Sequence, residues 1–209
     1  MKTKIFTNLF FILISVPLFA QKPVVKEQSV PVFEKDIIVL DGLQGEIYLK
    51  NSTDNQVHLK TTFHPKSAGI GIAVMPVTYD VGYQKTGNTI TFKPEKPEES
   101  TFITFQFSDD GITKNEIEIP ENAIVIIKSN DTDIDVSGKY VLLDVSNRNG
   151  KTKLKIDKSD FQLIELFSRN GNIDVNGDRK KEQFYHNLSV GLSICSATSN
   201  NGDINLILF

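Results

Sequence analysis

Asn149-Gly150-Lys151-Thr152-Lys153-Leu154 and Asn170-Gly171-Asn172-Ile173-Asp174-Val175 follow one pattern, a tight turn and then a strand with apolar residues at alternate positions. The same pattern runs through Gln44-Gly45-Glu46-Ile47-Tyr48-Leu49, Asp131-Thr132-Asp133-Ile134-Asp135-Val136 and Asn201-Gly202-Asp203-Ile204-Asn205-Leu206. In each copy Asn, Asp or Gln precedes a turn position that is Gly at 45, 150, 171 and 202 and Thr at 132. A tight turn there favours φ above zero, which Gly adopts without a Cβ clash and Asn or Asp tolerate. The residues two and four further on are mostly Ile, Val or Leu and point to one face of the strand. Tyr48, Asp135, Lys153, Asp174 and Asn205 point to the other. The strand before the turn keeps the same phase, with Leu143 and Val145 matching Ile164 and Leu166, and Asp144 and Glu165 turned outward.

The turn positions 132, 150, 171 and 202 are 18, 21 and 31 residues apart, the last gap holding an insertion at 178–187. A unit of this size has no room for a private core, so it must bury its apolar face on its neighbours, as the coils of solenoids and β-helices do. Parallel, in-register stacking of a β-helix or solenoid is the expected all-β architecture; two-residue Asn-Gly hairpins in an antiparallel meander are the alternative. The last copy is out of phase with the others. Counting back from Gly202 turns Cys195 and Ala197 inward, whereas Leu192 and Ile194 are the better core residues, so an extra residue absorbed as a bulge is expected within 199–201.

Outward from the repeats, strands are expected at 36–40, 46–49, 57–63, 77–83, 89–92, 102–107 and 116–119, separated by turn-rich stretches, and the best candidate for a helical turn is 179–185. The region 51–115 departs from the repeat, so the N-terminal half is expected to be a less regular β region. At the start, Lys2 and Lys4 precede an apolar run over 5–19 that is interrupted by Asn8 and Pro17 and closes at Ala20. That is the layout of a secretory signal, with cleavage between Ala20 and Gln21, and it is too short and broken for a membrane span. The expected organisation is a signal peptide over 1–20, a polar leader over 21–34 and one domain over 35–209, exported to the periplasm or cell surface and without a transmembrane segment once processed.

Loss of residues 1–20 removes two lysines and leaves 21 basic residues against 26 acidic ones. This balance argues against nucleic acid as a partner, which calls for a basic stripe. The single cysteine, Cys195, excludes an intramolecular disulfide, and its apolar context makes it a small core residue rather than a nucleophile. No metal or cofactor site is expected. His58 and His64 are about 20 Å apart along an extended strand at ~3.3 Å per residue. The run Asp131, Asp133, Asp135 lacks the Gly and Glu of a calcium loop, having Val136 and Leu142 at those places. Motifs for nucleophilic catalysis and phosphate binding are absent, so no catalytic residue is assigned. If the copies stack, Asp135, Lys153, Asp174 and Asn205 line up on an outer face, with Arg148 and Arg169 stacked near the turns. Such a row reads first as a ladder of opposite charges, and secondly as a strip for binding a glycan or peptide. Acid and base chemistry on a polysaccharide is the third reading.

The segment Ile117-Glu118-Ile119-Pro120, the strand at 124–127, Asp133-Ile134-Asp135-Val136-Ser137-Gly138 and the Asn-Gly-x-Ile-x-Val units resemble the bacterial families grouped as "putative adhesins", the head GIN domains among them. The resemblance covers roughly residues 35–209 and is strongest from Glu116 onward. It implies a right-handed β-helix-like fold outside the cytoplasm and carries no catalytic residues over. The expected function is a non-enzymatic envelope or surface interaction module whose partner is an envelope protein or a glycan. The alternatives are a polysaccharide-binding or polysaccharide-cleaving β-helix and a periplasmic component of envelope-stress sensing.

Overall fold

The computed structural model describes residues 23–64, 80–95, 111–180, 182–187 and 193–209. Among them the chain forms β1 (Val24–Pro31), β2 (Ile37–Asp41), β3 (Glu46–Ser52), β4 (Gln56–His64), β5 (Asp80–Thr86), β6 (Thr89–Glu95), β7 (Ile112–Pro120) and β8 (Ala123–Asp131). It continues as β9 (Asp133–Ser137), β10 (Tyr140–Asn149), β11 (Thr152–Ile156), a short 3-10 turn (Lys158–Asp160), β12 (Phe161–Ser168) and β13 (Ile173–Val175). The last strands are β14 (Asp178–Lys180), β15 (Gln183–Asn187), β16 (Ser193–Ser199) and β17 (Ile204–Leu208). The expected strand at 102–107 and the signal segment with Ala20 and Gln21 lie outside the described residues.

The strands build two mixed sheets, one of nine in the order β1-β4-β7-β3-β9-β11-β17-β13-β14 and one of eight in the order β15-β12-β16-β10-β8-β2-β6-β5. Six strand pairs each place one strand in the eight-stranded sheet and the next in the nine-stranded sheet: β2-β3, β6-β7, β8-β9, β10-β11, β12-β13 and β16-β17. Neighbouring pairs lie parallel in both sheets. The five repeat strands thus lie parallel and in register, within one of the two mixed sheets rather than as antiparallel hairpins.

Stacking order is not chain order. The pair β6-β7 lies outside β2-β3, and β16-β17, last in sequence, is inserted between β10-β11 and β12-β13. The winding doubles back at both ends instead of advancing one coil at a time.

Antiparallel strands close the parallel stack. At one end β4 and then β1 are added beyond β7, and β5 returns along β6; at the other, β14 returns along β13 and β15 pairs with β12. The β13-β14 hairpin turns at Asn176 (φ 53°) and Gly177 (φ 87°), both in the left-handed region that a two-residue hairpin loop requires. These additions account for three departures from the sequence reading. Most of the expected leader, 24–31, is an edge strand of the domain, the insertion at 178–187 is a cap, and the stretch read as a helical turn consists of strands β14 and β15.

The core lies between the sheets in continuous rows. In the eight-stranded sheet one row runs Ile90, Ile38, Val125, Leu143, Cys195, Ile164 and the next Phe92, Leu40, Ile127, Val145, Ala197, Leu166. The facing sheet contributes Ile117, Leu49, Val136, Leu154, Leu206 and Val175. At roughly 1.5–3 kcal/mol for each large side chain removed from water, these rows are the main source of stability. Cys195 and Ala197 face inward while Ile194 remains 38% exposed, so the last copy is in phase and 199–201 holds no extra residue. The register shifts fall elsewhere, after Tyr140 and after Phe161, at the starts of β10 and β12. The ring of each is fully buried.

Candidate functional site

Four of the five repeat turns, those at 132, 150, 171 and 202, have a polar residue three positions before the turn residue that the repeat reading passed over, and at 171 and 202 it is a Ser that binds the turn amide. Ser168 Oγ accepts a hydrogen bond from Gly171 N (3.0 Å) and donates to Gly202 O on the adjoining coil (2.9 Å). Ser199 Oγ accepts from Gly202 N at 2.8 Å. Ser129 Oγ bonds Thr132 Oγ1, and Asn147 Nδ2 donates to Thr132 O at 2.7 Å. All four of these polar side chains are buried. Outside them runs an amide ladder: Asn149 Nδ2 donates to Asp131 Oδ1 (2.5 Å), Asn201 Nδ2 to Asn149 Oδ1 (2.7 Å) and Asn170 Nδ2 to Asn201 Oδ1 (2.8 Å).

The glycines serve this stacking in two ways. Gly45 (φ +82°) and Gly150 (φ +93°) take the left-handed backbone expected of them, but Gly171 and Gly202 do not. What excludes a side chain at the latter pair is the next coil: a Cβ on Gly171 would fall 2.1 Å from Gly202 O, and one on Gly202 would fall 1.8 Å from Gly150 O. Close approach of backbones, not turn conformation, selects Gly there.

On the outer face of the nine-stranded sheet one row crosses every strand: Glu27, Lys60, Glu116, Tyr48, Asp135, Lys153, Asn205, Asp174, Arg179. At ~4.8 Å per strand it spans about 38 Å. Asp135 and Lys153 are adjacent, with Nζ to Oδ2 at 3.1 Å, whereas Asp174 is separated from Lys153 by Asn205 because β17 lies between β11 and β13. Arg148 and Arg169 are not part of this face. Arg148 is the penultimate residue of β10 and Arg169 follows β12, with the backbone of 199–201 between them: Asn201 N donates to Arg148 O, and Arg169 N to Ser199 O. The expected strip of five residues is therefore three residues of a longer row and two separated turn residues.

Two depressions of about 600 and 550 Å³ lie along this row and share Tyr48 and Asp135 at their junction. Tyr48 is 40% exposed; its hydroxyl donates to Glu46 (2.9 Å), and Lys114 Nζ lies 4.8 Å from the ring centre. Ion pairs cross the floor at Lys114–Glu116 (2.8 Å) and Lys50–Glu118 (2.8 Å). The hydrogen bond from Lys114 holds the Glu116 carboxyl below the usual carboxylate range. The same bond to Glu116 raises Lys114, and that to Glu118 raises Lys50. These shifts stabilise charged forms, which is the electrostatics of a fixed polar surface and not of a carboxyl kept protonated for acid catalysis. The outer face of the eight-stranded sheet differs, with an aliphatic row of Ile37, Ile124, Leu142, Ile194 and Leu163.

At the rim of the first depression His58 accepts or donates on both ring nitrogens, Nδ1 to Ser29 Oγ at 2.8 Å and Nε2 to the Asp54 carboxylate at 2.9 and 3.0 Å. Sequence spacing gave no sign of this trio. It fastens edge strand β1 to the turn before β4. His64 ends the same strand, and His186 lies in β15 with its ring stacked 6.1 Å from Phe184. Cys195 is fully buried, and that burial pushes its thiol up to about 12. Among the described residues no three His, Cys, Asp or Glu side chains gather as a metal site, and no helix is long and apolar enough to cross a membrane.

Parallel strand pairs stacked in two mixed sheets and closed by antiparallel strands make this an all-β scaffold. The fold matches the crystal structure of a putative cell adhesion protein from Clostridium sporogenes with a TM-score of 0.53 and 15% identity, over 90% of this chain and 100% of that one. Crystal structures of putative adhesins from Parabacteroides merdae (TM-score 0.30, 14% identity, 87% of this chain and 80% of that one) and Bacteroides fragilis (0.25, 10%, 89% and 97%) align more loosely. The Clostridium match shows a shared fold, in agreement with the repeat resemblance. No family model matches the chain, and no curated protein matches it significantly.

Proposed function

We propose that this chain is an exported, non-enzymatic interaction module of the bacterial envelope or cell surface, and that it binds its partner along the outer face of the nine-stranded sheet. The observation carrying this reading is the nine-residue row with its two depressions meeting at Tyr48 and Asp135. Its charges nearly cancel, with Glu27, Glu116, Asp135 and Asp174 against Lys60, Lys153 and Arg179. A face of that balance suits a partner of mixed or no net charge, an envelope protein or a neutral glycan, and not a polyanion. The signal-like start and the fold shared with the putative cell adhesion protein from Clostridium sporogenes support placement outside the cytoplasm. The six stacked strand pairs, a β-solenoid-like support in this reading, set the residues of the row side by side.

The test is retention of the purified chain on envelope fractions and on immobilised neutral and acidic polysaccharides. Tyr48→Ala with Asp135→Lys should abolish retention, and Leu142→Lys on the opposite face should preserve it. Release of new reducing or unsaturated ends from any polysaccharide would overturn the non-enzymatic assignment. Retention undisturbed by the double substitution would move the binding surface elsewhere.

A further inference from the structure

The chain contains four Asn-Gly pairs, at 149–150, 170–171, 176–177 and 201–202. Asn-Gly is the dipeptide in which the following backbone nitrogen most easily reaches the Asn side-chain carbonyl, because Gly has no side chain to hinder the approach. At three of the four pairs that nitrogen is already engaged. Gly171 N donates to Ser168 Oγ (3.0 Å), Gly202 N to Ser199 Oγ (2.8 Å) and Gly177 N to Asp174 Oδ1 (2.7 Å).

The turn at Gly150 lacks this lock. The residue three positions earlier is Asn147 instead of Ser; its Nδ2 is directed to Thr132 O, and its Oδ1 is buried with no hydrogen-bond partner among the described residues. Among the described residues Gly150 N has no counterpart to the Ser bond. An orphaned acceptor and, among those residues, an unengaged donor at one turn are two signs of the same open cap.

We infer that Asn149 is a site of spontaneous deamidation in the folded protein, and that the other three Asn-Gly pairs are protected by their caps. Gly150 N attacks Asn149 Cγ, the bond from Cγ to Nδ2 breaks, and ammonia leaves with the proton shed by the Gly150 amide. The resulting succinimide takes up one water and opens to aspartate or isoaspartate. The product cannot keep its place in the ladder. Asn149 Nδ2 is the donor to the Asp131 carboxylate. Its replacement by carboxylate oxygen sets two negative charges against each other on adjacent coils, and the isoaspartyl form lengthens the backbone by the Cβ of residue 149, immediately before a turn glycine packed closely against the Thr132 backbone. The modification thus marks the middle of the stack and loosens β8-β9 from β10-β11 as the protein ages.

The experiment is peptide mapping by mass spectrometry after incubation of the folded protein at mildly alkaline pH. Amide loss at Asn149 should exceed that at Asn170, Asn176 and Asn201 by about five-fold, the rate factor matching a hydrogen bond of average strength. Asn147→Ser, which restores the repeat's usual cap, should bring Asn149 down to the rate of the others. Ser168→Ala should raise Asn170 independently, so the inference remains testable if one variant misfolds. Equal rates at the four sites in the folded protein, or an Asn149 rate unchanged by Asn147→Ser, would overturn it. So would an Asn170 rate unmoved by Ser168→Ala in a folded variant.

Discussion

Gly202→Ala isolates the force that packs the coils. Gly202 has no left-handed backbone to lose, so turn conformation alone makes the substitution harmless, and the narrower unfolded state would even favour it by ~0.4–1 kcal/mol. Packing predicts the reverse. The new Cβ would fall 1.8 Å from Gly150 O, backbone that no rotamer change can move away. Relief requires β16-β17 to draw back from β10-β11 at the turn, where Asn201 N to Arg148 O (3.0 Å), Thr152 N to Asp203 O (2.9 Å) and Asn201 Nδ2 to Asn149 Oδ1 (2.7 Å) join the two coils. Losing three bonds of ~1 kcal/mol each, less the unfolded-state gain, leaves a destabilisation of about 2–3 kcal/mol. Gly42→Ala is the control, since Gly42 has φ +69° with open space around its Cβ position and should lose only ~1 kcal/mol from backbone strain. Urea unfolding of both variants gives the comparison directly. A Gly202→Ala variant no less stable than Gly42→Ala would refute close backbone approach as the reason for glycine at the stacked turns.

Ser199→Ala removes the buried acceptor of Gly202 N and should lower unfolding free energy by about 1–2 kcal/mol in the same assay. Cys195, buried and with its thiol pushed up to about 12, should resist a maleimide in the native state at neutral pH and react once urea unfolds the chain. Burial by itself would raise the Asp36 carboxyl, but the Lys85 side chain and the Phe33 amide hydrogen-bond to it and hold it below its ordinary value. A carboxyl depressed in the folded state contributes stability above its unfolded pKa of ~3.9, and that contribution is lost as pH falls through the folded value. Lys85→Met should therefore destabilise the protein at neutral pH, with the gap to the parent narrowing below about pH 4 in acid titrations followed by circular dichroism.

The inward rows were legible in the sequence because alternation leaves no choice: Ile134, Leu154, Ile173 and Leu206 can share a face only if their strands lie in phase. Order along the stack was not legible, since every coil offers the same apolar pair and identical grammar cannot say which copies touch. That ambiguity is why Asp174 was read beside Lys153 when Asn205 separates them, and why Arg148 and Arg169 were read as neighbours. The phase slip assigned to 199–201 came from preferring large residues inside; Cys195 and Ala197 occupy the core because strand phase outweighs residue size. Ser129, Asn147, Ser168 and Ser199 were visible as a recurring polar residue before each turn, but polar residues near turns read as solvated. The trio of Ser29, His58 and Asp54 depends on β1 joining the sheet, which a polar leader gave no reason to expect.

The insertion of β16-β17 between two earlier coils constrains how the molecule can come together. Until the last strand pair arrives, β10 and β12 have no common neighbour, and the hairpin caps β14 and β15 belong to a coil not yet joined to the rest. Assembly therefore cannot proceed from the first coil to the last, and loop-closure entropy must be overcome before the final contacts return it. The closing strands act as a keystone: without 193–209, β10-β11 and β12-β13 would be joined only through the connection at 157–160, each leaving an open sheet edge exposed to aggregation.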